Sequence, residues 1–181
     1  MSQDTMEVSY EQMLKAGMHF GRRKTVFNPG MGKYVFTVRN GICIIDLLRT
    51  RQEIDTVATQ LKQVVANSGS VLFVGLTKQS SESMKAMAQE FNMPYVVDRW
   101  LGGTLTNHKI IFARVKLLDE MERQLASGEL DKYTKKERLM FERQLNKMRR
   151  SFDGLRKLSR MPDVIFVSSL KESGIPIREA K

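Results

Sequence analysis

Val71-Leu72-Phe73-Val74, running straight into Gly75-Leu76-Thr77-Lys78-Gln79-Ser80, decides the fold class of this chain. Four consecutive apolar residues closed by a glycine turn read as a short strand covered on both faces, the pattern of a parallel sheet. Downstream, a helix from about Ser80 with Met84, Met87, Ala88 and Phe91 inward leads to a second such strand, Tyr95-Val96-Val97. Val164-Ile165-Phe166-Val167 reads as a third. Strand, helix, strand, helix, strand is the order of an α/β protein with helices on both sheet faces. Upstream, Asp46 opens a long helix in which Ile54, Val57, Ala58, Leu61, Val64 and Val65 recur at helical spacing, and Asn67-Ser68-Gly69 stops it. Earlier still, Tyr34–Thr37 and Ile42–Ile45 flank Arg39-Asn40-Gly41, a hairpin signal. Ser9 caps a short first helix carrying Met13, Leu14 and Met18, and His19 to Lys33 reads as a turn-rich loop.

Between Val97 and Val164 the periodicity changes. Asn107 to Leu125 is helical, with Ile111, Val115, Leu118 and Leu125 near one stripe, and Ser127-Gly128 breaks it. A second helix starts at the capping box Thr134-Lys135-Lys136-Glu137. Its Phe141, Leu145, Met148, Phe152 and Leu155 step as a heptad seam. The spacing predicts an antiparallel coiled-coil hairpin over 107–158 projecting from the sheet domain, with Gly154 weakening the second helix locally.

Composition bounds the function. The 181 residues hold 30 Lys+Arg against 20 Asp+Glu, a net charge of +10, so polyanionic partners are favoured. Residues 101–181 carry +7 of this and residues 1–100 carry +3. One cysteine, Cys43, excludes an intrachain disulfide and suits a buried apolar role. Two histidines beside it argue against a zinc site. No uninterrupted apolar run approaches the roughly 18 residues of a membrane span. The polar, acidic start Met1-Ser2-Gln3-Asp4-Thr5 is unlike a signal or transit peptide. A cytoplasmic protein without membrane partner, cofactor or metal is expected.

Two stretches carry candidate chemistry. In His19-Phe20-Gly21-Arg22-Arg23-Lys24-Thr25-Val26-Phe27-Asn28, three adjacent cations lie between aromatics. Such cations neutralise phosphates and such rings stack on exposed bases. The other reading is a solvated charge run with both phenylalanines in the core. His19 has no nucleophile or carboxylate partner placed by the sequence, so no catalytic residue is assigned. In Asp98-Arg99-Trp100-Leu101-Gly102-Gly103-Thr104-Leu105-Thr106-Asn107-His108-Lys109, a cation, an indole and two glycines meet a helix start. Free amides there suit a phosphate. Equally, the stretch is a tight strand-to-helix turn, and Trp100 either stacks on a base or plugs the sheet end. The pair Gly102-Gly103 does not fit the dinucleotide pattern G-x-G-x-x-G, and Gly75–Ser80 lacks the Walker order. The basic residues Arg143, Lys147, Arg149, Arg150, Arg156, Lys157 and Arg160 read either as a solvated coiled-coil face or as contacts to RNA or an acidic partner.

With these segments in hand, the chain resembles the bacterial-type small-subunit ribosomal protein two family, a universal ribosomal family with laminin-receptor-like relatives. The resemblance rests on Leu14–Gly21, Asn28-Pro29, Arg39–Ile42, Ile44–Leu47, Gly75 with Thr77-Lys78-Gln79, Arg99–Asn107 and Met161-Pro162-Asp163, in the family's order. It implies a flavodoxin-like three-layer parallel sheet domain over 1–106 and 159–181, with the coiled-coil hairpin over 107–158 as the bacterial-type insertion. It also implies a structural protein of the small ribosomal subunit that is not an enzyme and not a homo-oligomer. Such a protein binds small-subunit ribosomal RNA, sits among other small-subunit proteins and helps recruit ribosomal protein one. The expected RNA-binding set is His19, Phe20, Arg22, Arg23, Lys24, Asn28, Arg99, Trp100, Gly102, Gly103, Thr104, Asn107 and Lys109. The chain departs from the family at Arg22-Arg23, where histidine and glutamine are usual, and at Phe27, where tryptophan is frequent. It also stops at Ile175–Lys181, inside an expected helix, so the last part of the family fold is expected to be missing. A nucleotide-binding α/β enzyme and a coiled-coil interaction protein are the competing readings.

Overall fold

Ser9 and Asn40-Gly41 show how local chemistry shapes the first part of the chain. The Ser9 hydroxyl accepts from the Gln12 amide while the Gln12 side chain accepts from the Ser9 amide, and this reciprocal cap starts α1 (Tyr10–Lys15). The molecule is seen in a computed structural model that describes residues 9–158 and 160–181; the acidic stretch Met1–Thr5 lies outside the described residues. After α1 come β1 (Phe20–Arg23), β2 (Val35–Arg39) and β3 (Ile42–Ile45). Asn40 and Gly41 take φ of 50° and 74°, the positive pair a tight hairpin needs, and fold β2 onto β3.

The strand β1 falls where the sequence predicts a loop. It pairs antiparallel with β3, giving the order β1-β3-β2. Gly21 permits this, because a Cβ there would stand 2.7 Å from the Cys43 carbonyl oxygen. The charges of Arg22 and Arg23 hide the strand from an apolar pattern. Met13 and Cys43 are buried, as expected for the cysteine.

Asp46 then accepts from the Leu48 and Arg49 amides and opens α2 (Leu47–Ala66). No residue of α2 is buried, and Ile54, Val57 and Val65 are exposed. Helical spacing marks a face as apolar, but it does not supply the element that covers it. The helix ends with Ser68 and Gly69 amides donating to Val65 and Val64 carbonyls, a left-handed stop. Two compact units divide between Gln63 and Val64.

The second unit holds β4 (Val71–Val74), α3 (Lys78–Glu90), β5 (Tyr95–Val96), α4 (His108–Ala126), α5 (Lys135–Phe152), β6 (Val164–Val167) and α6 (Gly174–Ala180). Its sheet is parallel with order β5-β4-β6, and every residue of β4 is buried, as the opening run requires. The protein is therefore mixed α/β with a parallel sheet of three strands, and the hairpin strands form a separate antiparallel sheet. Thr77 caps α3, which buries Met84 and Ala88 but leaves Met87 and Phe91 exposed on its flank.

The helices α4 and α5 run antiparallel, because Glu122 meets Arg149 while the earlier Asp119 meets the later Arg156. The Thr134–Glu137 box caps α5 as expected, and Leu145, Met148, Phe152 and Leu155 are buried along its seam. These side chains share one apolar cluster with Leu72, Val74 and Val96 of the sheet and with Trp100, Leu105, Ile111, Val115 and Leu118. Sheet and helix pair thus have a common core. Gly154 follows α5 in a 3₁₀ turn, Asp153–Leu155. A Cβ there would lie 2.2 Å from the Tyr95 carbonyl oxygen, so this glycine lets the chain pass β5.

Candidate nucleic-acid interface

The thirteen expected residues fall into two groups, one in each unit. In the first unit, Phe20, Arg22 and Arg23 stand on β1 and Lys24 opens the 3₁₀ turn Lys24–Val26. All four are exposed, Phe20 at 62%. Among the described residues, Arg22, Arg23 and Lys24 carry no ion pair or side-chain hydrogen bond. His19 packs its ring 4.0 Å from that of Phe20, and its Nδ1 is buried without a partner. Asn28 is a cap: its side-chain oxygen accepts from the Gly30 amide at 3.0 Å and starts the turn at Pro29. Phe27, the second aromatic of the run, is half-buried.

The cationic surface extends further than the expected set. Arg39 is exposed at the end of β2, and Phe36 is 76% exposed where the β2–β3 register shifts. The sequence signal for Arg39 was its place beside the Asn-Gly turn; read as turn chemistry, its charge went unused.

The second group surrounds the turn between β5 and α4. Arg99, Gly102, Asn107 and Lys109 are exposed. Trp100 is buried and belongs to the core cluster, so of the two roles left open for it the structure shows the core plug. Its indole Nε1 donates to Glu179 Oε1 at 3.1 Å. The Gly103 amide donates to the same oxygen at 2.9 Å and the Leu105 amide to Oε2 at 3.0 Å. The amides that would suit a phosphate are thus held by a carboxylate of the chain itself, delivered by α6. Burial alone would raise the Glu179 carboxyl, but the hydrogen bonds from Leu105, Gly103, Trp100 and Thr106 outweigh it and hold it below the usual carboxylate value. Gly103 takes φ of +87°, which places its amide for this contact. Thr104 is buried, its hydroxyl donating to the Leu101 carbonyl at 2.6 Å. Glu179 was missed because the sequence places it more than seventy residues away, with no local signal.

On α5 and the turn after it, the seven expected cations separate. Arg149 and Arg156 join Glu122, which these guanidinium contacts, Arg149 first, hold below the ordinary carboxylate value. Arg160 donates to the Ser68 carbonyl and meets Asp163. Arg143, Lys147, Arg150 and Lys157 stay exposed. The steps 143, 147 and 150 put three of these on one helical face. Among the described residues no group of acidic, histidine or cysteine side chains is arranged to hold a metal. No described helix is long and apolar enough to cross a membrane.

Comparison with known proteins gives a consistent result. The family described as Ribosomal protein S2 matches residues 13–181. The small ribosomal subunit protein uS2 of Fusobacterium nucleatum is 41% identical over 174 residues, covering 96% of this chain and 70% of that protein. The protein of the same name from Thermus thermophilus is 38% identical over 176 residues, covering 97% of this chain and 69% of the relative. That from Nocardia farcinica is 42% identical over 174 residues, covering 96% and 61%.

Proposed function

This chain belongs to the ribosomal protein S2 family, and from that premise we propose that it binds small-subunit ribosomal RNA through exposed cations and rings. It is a protein of the small ribosomal subunit and not an enzyme. The observation that carries the RNA reading is the exposed run Arg22, Arg23 and Lys24 beside the exposed Phe20 ring, with no internal acid bound to these cations among the described residues. Such charges gain from displacing counterions on a phosphate backbone. His19 buttresses Phe20, and Asn28 shapes the loop that follows. In the second unit Arg99, Asn107 and Lys109 reach the RNA around Gly102, while Trp100, Gly103 and Thr104 hold that turn in shape. The helix pair over 107–158 serves as an inserted coiled-coil hairpin on the sheet domain. The reading extends to assembly with other small-subunit proteins, recruitment of ribosomal protein one and residence on the cytoplasmic ribosome.

Binding to isolated small-subunit ribosomal RNA across a salt series tests this. Affinity should fall steeply with salt, and replacing Arg22, Arg23 and Lys24 together by alanine should lower the logarithmic slope by roughly 1 to 3. Affinity indifferent to salt defeats phosphate-led binding. An unchanged slope in the triple variant removes this cluster from the interface.

A further inference from the structure

The register of the small antiparallel sheet places together residues that are far apart in sequence. Arg23 pairs with Ile42, and Ile42 pairs on its other side with Arg39. One row along on β3, across a register shift that sets Phe20 and Arg23 three apart on β1 against two on β3, Phe20 pairs with Ile44 and Ile44 with Thr37. Directly paired residues share a face, and Ile42 and Ile44, two apart, share it as well. One face therefore carries an arginine on each outer strand, two half-buried isoleucines between the strands' polar edges, a threonine and the exposed Phe20 ring. Arg23 and Arg39 stand two strand spacings apart, roughly 10 Å.

We propose that this face is a docking surface for an unpaired RNA segment, with Phe20 stacking on a splayed base and Arg23 and Arg39 holding phosphates on either side of Ile42. The proposal rests on the ribosomal RNA reading above and adds to it the form of RNA taken and a residue, Arg39, outside the basic run. Charge complementarity points to the occupant. From Met18 to Ile45 the chain has Arg22, Arg23, Lys24, Lys33 and Arg39 and no acidic residue. The ring points to an unpaired strand, because a duplex keeps its base faces stacked inside while a single strand offers them to an aromatic platform. The His19 ring against Phe20 limits the motion of that platform.

The test uses the full chain, a short fluorescein-labelled single-stranded RNA of mixed sequence, the same strand annealed to its complement, and small-subunit ribosomal RNA. Phe20→Ala should weaken single-strand binding about tenfold or more and leave duplex binding nearly unchanged. Phe20→Tyr, which keeps a stacking ring, should restore it. Arg39→Ala should lower the single-strand salt slope by about 0.7, one phosphate contact. Both wild-type side chains are exposed, and unchanged thermal unfolding of the variants confirms that the fold is kept. Single-strand binding unaffected by Phe20→Ala and Arg39→Ala, or equal binding of the duplex with no role for Phe20, overturns the proposal. If ribosomal RNA still binds in that case, only this face is wrong; if wild type binds no ribosomal RNA, the wider reading fails with it.

Discussion

Trp100 shows how one residue's role is fixed by what its polar edge meets. The ring fills the core beside Leu105 and Ile111, and the indole N–H is spent on Glu179. Trp100→Phe keeps most of the apolar volume but removes the donor. Hydrogen bonds to charged groups contribute about 1.5–3 kcal/mol, so the variant should unfold at a temperature several degrees lower. Its RNA salt slope should match wild type, since the ring is not at the surface. A normal melting temperature with weakened RNA binding would return Trp100 to the interface. The sequence left both roles open because an indole at a strand end is compatible with either; the discriminating fact, a carboxylate arriving from α6, is a tertiary one. By contrast Cys43, Val71–Val74, the Ser9 cap and the Thr134–Glu137 capping box were legible, since their causes lie within a few residues of themselves.

At the scale of elements, the ionised side chain of Glu179 ties α6 to the β5–α4 turn. The Glu179 carboxyl sits below its ordinary value when folded, so its stabilisation is fully present above the unfolded value of about 4.3 and is lost as pH falls through the lower folded value. Glu179→Gln should lower thermal stability at neutral pH, because an amide nitrogen then faces the Trp100 or backbone donors. It should also make the loss of stability between about pH 5 and pH 3 shallower than in wild type. Melting curves over that range decide it; parallel acid profiles would show that the carboxylate is not the ionised anchor. Elements were legible where pattern and chemistry agree, as in the β2–β3 hairpin, α5 and the parallel strands. The strand β1 was not, because its pairing depends on Gly21 allowing close approach to Cys43, a contact that no apolar alternation announces. The stripe on α2 was legible as a stripe and silent about its cover.

Taken whole, the second unit has one core shared by the sheet and the α4–α5 pair. Removing residues 110–158 takes away Ile111, Val115, Leu118, Leu145, Met148, Phe152 and Leu155 together and bares Leu72, Val74 and Val96. Loss of one such side chain costs about 2–5 kcal/mol, more than a marginal fold can absorb several times over. Hydrogen exchange at Val71–Val74 should become fast in that deletion; protected amides there would show that the sheet stands without the helices. The heptad seam of α5 was readable from its spacing, but the β4 and β5 residues that share its cluster are too distant in sequence to be read from it. Of the candidate interface, the basic run of the first unit was readable by composition. The share of the β5–α4 turn taken by Glu179 was not.

The partner of the Gly103 and Leu105 amides stands 76 and 74 residues further along. While the chain is being made, those amides emerge long before position 179 does. Water must serve them until position 179 has left the ribosome, so the turn between β5 and α4 locks only after the whole stretch from α4 to β6 has emerged.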